Sequence, residues 1–230
     1  MSGRLLIKAA MRSADVGHLA EQLAQLEQAG IDAVHFDMMD GHFVPEICFG
    51  PLLIRGLRKS SRLSFEVHLL VTDPDACVGQ YLDAGADCVL VHVETAHDPR
   101  LLLERIHGRG REGGLAIAPG TPATALAPYL DCCDCVNVMT VVPGKAGIFA
   151  EAGLRNLTEI TEAIARQGTR QIVQADGAVS RETRDRLIGA GATALVVGYP
   201  VFSQADFGVA IAAFREESKI VSPAYQAEER

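Results

Sequence analysis

The chain has no tryptophan, and aromatic residues make up only 5% of its 230 positions. Its interior is therefore expected to be built from Ala, Val, Leu and Ile. No run of Lys or Arg interrupts a net charge of −8, so the concentrated positive surface needed for nucleic acid or an anionic membrane is missing. No stretch reaches the roughly 20 apolar residues of a membrane span, and segment 1–8 lacks the apolar run of a signal peptide. A cytoplasmic enzyme with neither a nucleic-acid nor a membrane partner is expected. The six cysteines, Cys48, Cys77, Cys88, Cys132, Cys133 and Cys135, show neither a secreted disulfide framework nor paired zinc-finger spacing, and reduced thiols are expected. Finally, no G-x-G-x-x-G turn follows the first apolar run, which excludes the dinucleotide-binding fingerprint.

What is present is an alternation. Eight short apolar runs, at 5–10, 33–37, 63–69, 88–91, 114–117, 135–139, 171–175 and 194–198, are separated by longer amphipathic stretches. That is the pattern of a parallel sheet covered by helices. Helices are predicted at 15–29, where Leu19, Leu23 and Leu26 recur at helical spacing, and at 153–167. Asp73-Pro74, Asp98-Pro99 and Thr121-Pro122 read as an N-cap followed by proline at the first helical position. Ala29-Gly30, Ala84-Gly85 and Ala190-Gly191 repeat a helix-to-strand signature. Eight units of about 29 residues close into a (β/α)₈ TIM barrel, expected as one domain over 1–221 with a polar tail at 222–230.

In such a barrel, function gathers at the C-terminal ends of the strands. His35 and Asp37 end the second strand, and period-two alternation points them to the same side. His68 ends the third strand and Asp176 follows the seventh, completing a His₂Asp₂ set suited to a divalent metal such as Zn²⁺, Fe²⁺ or Mn²⁺. A His two residues before an Asp also serves as a plain hydrogen-bonded pair, so each position taken singly remains open. Glu66, His92 and Glu94 have similar placements and read as supporting groups. His18, His97 and His107 read as surface residues.

The segment H-F-D-M-M-D-G-H-F-V-P at 35–45 strongly resembles the second-strand signature of the ribulose-phosphate 3-epimerase family. E-V-H-L-L-V-T-D-P at 66–74, V-H-V-E-T at 91–95, A-P-G-T-P at 118–122, V-M-T-V-V-P-G at 138–144 and A-D-G-A-V at 175–179 continue the resemblance in family order over roughly 5–211. It implies a divalent metal on His35, Asp37, His68 and Asp176, with Asp37 and Asp176 as acid and base and no organic cofactor. Inverting a carbon beside a ketone requires two opposed proton-transfer groups, so the chemistry agrees. The implied substrate is a small-molecule ketose phosphate, by default the D-ribulose 5-phosphate and D-xylulose 5-phosphate pair, and a homo-oligomer is expected.

The resemblance further places Met39 and Met139 along the substrate pocket, although either alone reads more readily as ordinary core. It places the phosphate against Gly144, Lys145, Ala146, Gly147, Gly177, Ala178, Gly198 and Tyr199. Here the chain departs from the family. Ala10 stands at the usual serine of the first strand, and P-G-K-A-G-I at 143–148 replaces P-G-F-G-G-Q. Asp176-Gly177-Ala178 replaces D-G-G, and Gly198-Tyr199 replaces Gly-Ser. Lys145 supplies a cation to a phosphate on one reading and is an ordinary solvated lysine on the other. These departures keep open a hexulose or tetrulose phosphate as substrate, and a non-catalytic sugar-phosphate binder as a further alternative. The D-x-K-x-x-D pattern of the related barrel decarboxylases is absent, since this strand reads D-M-M-D.

Overall fold

Alternation along the strands sorts the interior into two layers. A computed structural model describes residues 4–145 and 147–216. Eight parallel strands are present: β1 (Leu6–Ala10), β2 (Ala33–Asp40), β3 (Ser64–Leu70), β4 (Cys88–His92), β5 (Glu112–Ile117), β6 (Cys135–Met139), β7 (Ile172–Asp176) and β8 (Ala194–Val197). Each pairs with its sequence neighbour, and β1 pairs with both β2 and β8, which closes the barrel. A two-residue antiparallel arm, Ile47–Cys48, pairs with Met39 and Asp40 at the end of β2. The expected closed barrel is therefore present, with strand bounds within about three residues of those read from periodicity.

Helices fill the outer layer: α1 (Leu19–Gln28), α2 (Pro51–Arg58), α3 (Pro74–Ala84), α4 (Pro99–His107), α5 (Glu151–Gln167), α6 (Arg181–Gly189), α7 (Tyr199–Phe202) and α8 (Phe207–Arg215). Val34, Phe36 and Met38 of β2 join Phe65, Val67 and Leu69 of β3 in the apolar layer beneath them. The Asp73 and Asp98 side chains accept from Ala76 N–H and Leu101 N–H, capping α3 and α4 as expected. The third cap is a correction. After Thr121-Pro122 the chain makes two 3₁₀ turns, Ala123–Ala125 and Ala127–Tyr129, and no α-helix. Pro128 lacks the N–H that would bond back to Thr124, so a helix started at Pro122 cannot propagate. Gly30, Gly85 and Gly191 all take positive φ after their helices, as the Ala-Gly signature predicts.

The core is built mainly from Ala, Val, Leu and Ile, as expected, but the alternate strand residues that point into the barrel include a polar set. Lys8, His35, Glu66, His68, His92, Asn137 and Gln174 are buried within the barrel. Apolar groups sit on either side of this polar layer. Cys88, Leu90 and Cys135 pack with Ile172 towards the strand starts, while Met39, Val44, Leu70, Met139 and Val141 pack towards the strand ends. The expected boundary at 222 and the polar tail lie outside the described residues.

Candidate active site

Register brings the four singled-out side chains to one point. Asp37 pairs with His68 across β2 and β3, and Met139 pairs with Asp176 across β6 and β7. His35 Nε2 lies 3.2 Å from Asp37 Oδ1 and 3.6 Å from Asp176 Oδ2. His68 Nδ1 lies 3.2 Å from Asp37 Oδ1 and 3.5 Å from Asp176 Oδ2. Nitrogen and oxygen donors thus alternate around a ring whose four atoms all lie within 4.8 Å of one another.

This donor set fits a divalent cation. Tetrahedral ligands at bonds of about 2.0–2.2 Å stand about 3.3–3.6 Å apart, close to the spacing around this ring. The electrostatics agree. Burial opposes charge on Asp37, yet His35 and His68 hold its carboxyl far below the usual carboxylate range. Burial likewise opposes protonation of His35, while Asp176 and Asp37 raise its pKa well above the usual imidazole value. His68 is raised against burial by hydrogen bonds to Asp176 and Asp37. Two carboxylates facing two imidazoles draw positive charge into the ring, as protons or as a metal ion.

Polar neighbours position the ring. His35 Nδ1–H donates to Glu66 Oε1 at 2.7 Å, which turns the Nε2 lone pair towards the aspartates. Glu66 also accepts from Lys8 Nζ, and from Gln174 Nε2 at 2.9 Å. Gln174 Nε2 reaches Asn137 Oδ1 at 2.8 Å, and Asn137 Nδ2 donates to Asp176 Oδ2 at 3.0 Å. Glu66 thus has the supporting role read from the sequence. Lys8, Asn137 and Gln174 were not anticipated, though a lysine among inward positions of an apolar strand is itself a signal, because a buried cation demands a partner.

Met39 and Met139 pack in one cluster with Leu70 and Val141 over the strand ends. The remaining substrate candidates lie on loops at the same end. Gly144 lies against Val44 and Pro45, so the loop after β6 meets the loop after β2. Lys145 and Gly147 are exposed there, and Ala146 lies outside the described residues. Gly177 has φ 99 and a Cβ there would stand 2.3 Å from Val141 Cγ2, so only glycine fits. Ala178 has φ 49, a left-handed conformation, and packs against the methionine cluster. Gly198 lies against Ser13 on the turn after β1, and Tyr199 is 76% exposed at the start of α7.

Residues 6–202 match the Ribulose-phosphate 3 epimerase family. The chain belongs to that family. It is 36% identical over 211 residues to the chloroplastic ribulose-5-phosphate-3-epimerase of Arabidopsis thaliana, covering 90% of this chain and 75% of the relative. It is 35% identical over 205 residues to ribulose-phosphate 3-epimerase of Bacillus subtilis (strain 168), covering 88% and 94%. Membership in the ribulose-phosphate 3-epimerase family makes the chain an isomerase-class carbohydrate epimerase, with ketose-phosphate epimerisation as its supported chemistry. Solved structures at 15% identity share the barrel alone. A thiamine phosphate pyrophosphorylase from Pyrococcus furiosus aligns with TM-score 0.63 over 93% of this chain and 95% of its own, and a 3-hexulose-6-phosphate synthase with 0.64 over 91% and 98%. Among the described residues, no helix of this epimerase-family chain is long and apolar enough to cross a membrane.

Proposed function

We propose that the chain interconverts the C3 epimers of a ketose phosphate, with D-ribulose 5-phosphate and D-xylulose 5-phosphate as the pair, using a divalent metal held by His35, Asp37, His68 and Asp176. The observation that carries this reading is the ring of alternating donors, drawn from three strands, at the strand-end mouth of the barrel. A divalent ion bound there supplies Lewis-acid stabilisation of the negative charge that develops on the substrate oxygens. Zn²⁺, Fe²⁺ and Mn²⁺ all suit the donors, and no organic cofactor is required.

Proton transfer falls to the aspartates. Asp37 presents Oδ1 to the ring and Asp176 presents Oδ2, so each keeps its second oxygen for the substrate carbon. One carboxylate removes the C3 proton and the other returns a proton to the opposite face. Asn137 restrains the Asp176 carboxylate, and the Met39 and Met139 cluster keeps water from the planar enediolate. The loops carrying Gly144, Lys145, Ala146, Gly147, Gly177, Ala178, Gly198 and Tyr199 hold the phosphate end. A cytoplasmic homo-oligomer suits this reading.

The test combines elemental analysis with assays on a ketose-phosphate panel before and after chelation. Chelation is expected to abolish activity and a divalent ion to restore it, with Asp37→Asn and Asp176→Asn each lowering kcat at least about 100-fold. Solvent deuterium is expected to enter at C3, and full activity in metal-free protein overturns the reading. Ala178 and Tyr199 favour a second reading, because both place side chains beside the proposed phosphate loops. A hexulose or tetrulose phosphate turned over faster than the pentulose phosphate would establish it.

A further inference from the structure

The two ring histidines are oriented by different means. His35 donates directly to Glu66, but His68 faces another imidazole: its Nε2 lies 3.0 Å from His92 Nε2. The rings are 18° from parallel with centroids 5.0 Å apart. The nitrogens are closer than the about 3.5 Å contact of stacked ring carbons, so they meet edge to edge with one proton between them. Beyond His92, Nδ1 lies 2.8 Å from Glu94 Oε2. Glu94 also accepts from Ala118 N–H at 2.8 Å and from the Thr121 hydroxyl.

Proton placement along this line has one solution. His68 turns Nδ1 to the aspartates, so a metal on that atom leaves the His68 proton on Nε2. His92 Nε2 must then accept, which leaves the His92 proton on Nδ1, where Glu94 accepts it. Should His68 instead be protonated on both nitrogens, His92 is still the acceptor. Phe43, with its ring centroid 4.8 Å from that of His92, closes one side.

We infer that His92 and Glu94 are positioning residues for the metal: they form a directional relay that fixes His68 in the tautomer presenting Nδ1 to the ion. The inference rests on the metal reading given above. Metal affinity is then set in part by a carboxylate at the strand-end rim, joined to the ion through two imidazoles. Glu94, a supporting group by its placement in the sequence, is thereby given a specific partner, the His92 Nδ1–H.

The test is cobalt(II) binding to chelator-stripped full-length protein, by competition with a chromophoric chelator, with ¹⁵N NMR of the histidines and thermal unfolding of the metal-free form. Glu94→Gln keeps the shape and removes the charge. It is expected to lower the metal-free unfolding midpoint, since its carboxylate is held by His92 and Ala118 N–H, and in addition to weaken cobalt binding to the folded protein about 10–100-fold, with Glu94→Asp recovering part of the loss in affinity. His92→Phe is expected to weaken binding at least as much and to shift the His68 ring signals. A merely structural role would move the midpoint and spare the affinity of the folded protein. Cobalt affinity within twofold of wild type in both Glu94→Gln and His92→Phe overturns the relay. Failure of the wild-type protein itself to bind cobalt overturns the metal reading and the relay with it.

Discussion

Lys8 is 6% exposed inside the barrel, and its ammonium has Glu66 as its charge partner. Burial opposes the charged lysine, yet the Glu66 carboxylate raises its pKa above the usual value; Glu66 in turn is lowered against burial by Lys8 and His35. Lys8→Met removes the cation and leaves the carboxylate buried with only neutral donors and His35. Breaking a buried pair this way costs about 3–5 kcal/mol, to be read as a lower urea midpoint, and Lys8→Met with Glu66→Gln is expected to regain much of it. Backbone strain makes an opposite prediction next to the ring. Ala178→Gly relieves a left-handed alanine and is expected to gain about 0.5–1 kcal/mol, the relief exceeding the added freedom of the unfolded chain. Gly177→Ala, with no room beside Val141, is expected to lose stability in the same melts. His35 and Asp37 were legible because period two forces them to one side, and His68 and Asp176 because they end neighbouring and opposing strands. Asn137 and Gln174 were not, because a single polar residue in a buried strand reads the same whether it faces helices or the barrel centre.

Elements were legible where the turn chemistry was complete. Asp73 and Asp98 satisfy helix N–H groups from side chains followed by proline, and α3 and α4 begin there. Asp73→Ala and Asp98→Ala are each expected to cost about 1 kcal/mol of unfolding free energy, since a helix donor loses its acceptor. Thr121 is also followed by proline but has no α-helix behind it, because the decisive residue, Pro128, lies about two turns further on. Its hydroxyl serves Glu94 instead. The loops after β2, β6, β7 and β8 are the least legible part, because their positions depend on contacts between distant segments, such as Gly144 on Val44 and Gly198 on Ser13. One of them is pinned by a visible device: Asp40 accepts from His42 N–H, Phe43 N–H and Thr72, which ties the end of β2 to the turn after β3.

For the whole molecule, opposite titrations meet at the ring and set how stability depends on pH. Asp37, Asp40, Glu66 and Glu94 all have folded pKa values below their ordinary ones, Glu94 at about 2. Their contribution is present above the unfolded values near about 4 and is lost as pH falls through the folded values. His35 and His68 are raised, so in metal-free protein their contribution is full below about 6.5 and is lost as pH rises through the folded values. The chelated protein is therefore expected to be most stable between about pH 4 and 6.5, with urea midpoints falling on both sides. On the proposed metal reading a divalent ion would take the place of the ring protons, so binding is expected to release protons and to strengthen as pH rises. At a free concentration of 100 times its dissociation constant it adds about 2.7 kcal/mol, and it removes the alkaline decline first. Urea midpoints measured from pH 3 to 9 with and without zinc check this. Curves that run parallel across that range would mean that the ion and the ring protons do not compete for the same four side chains.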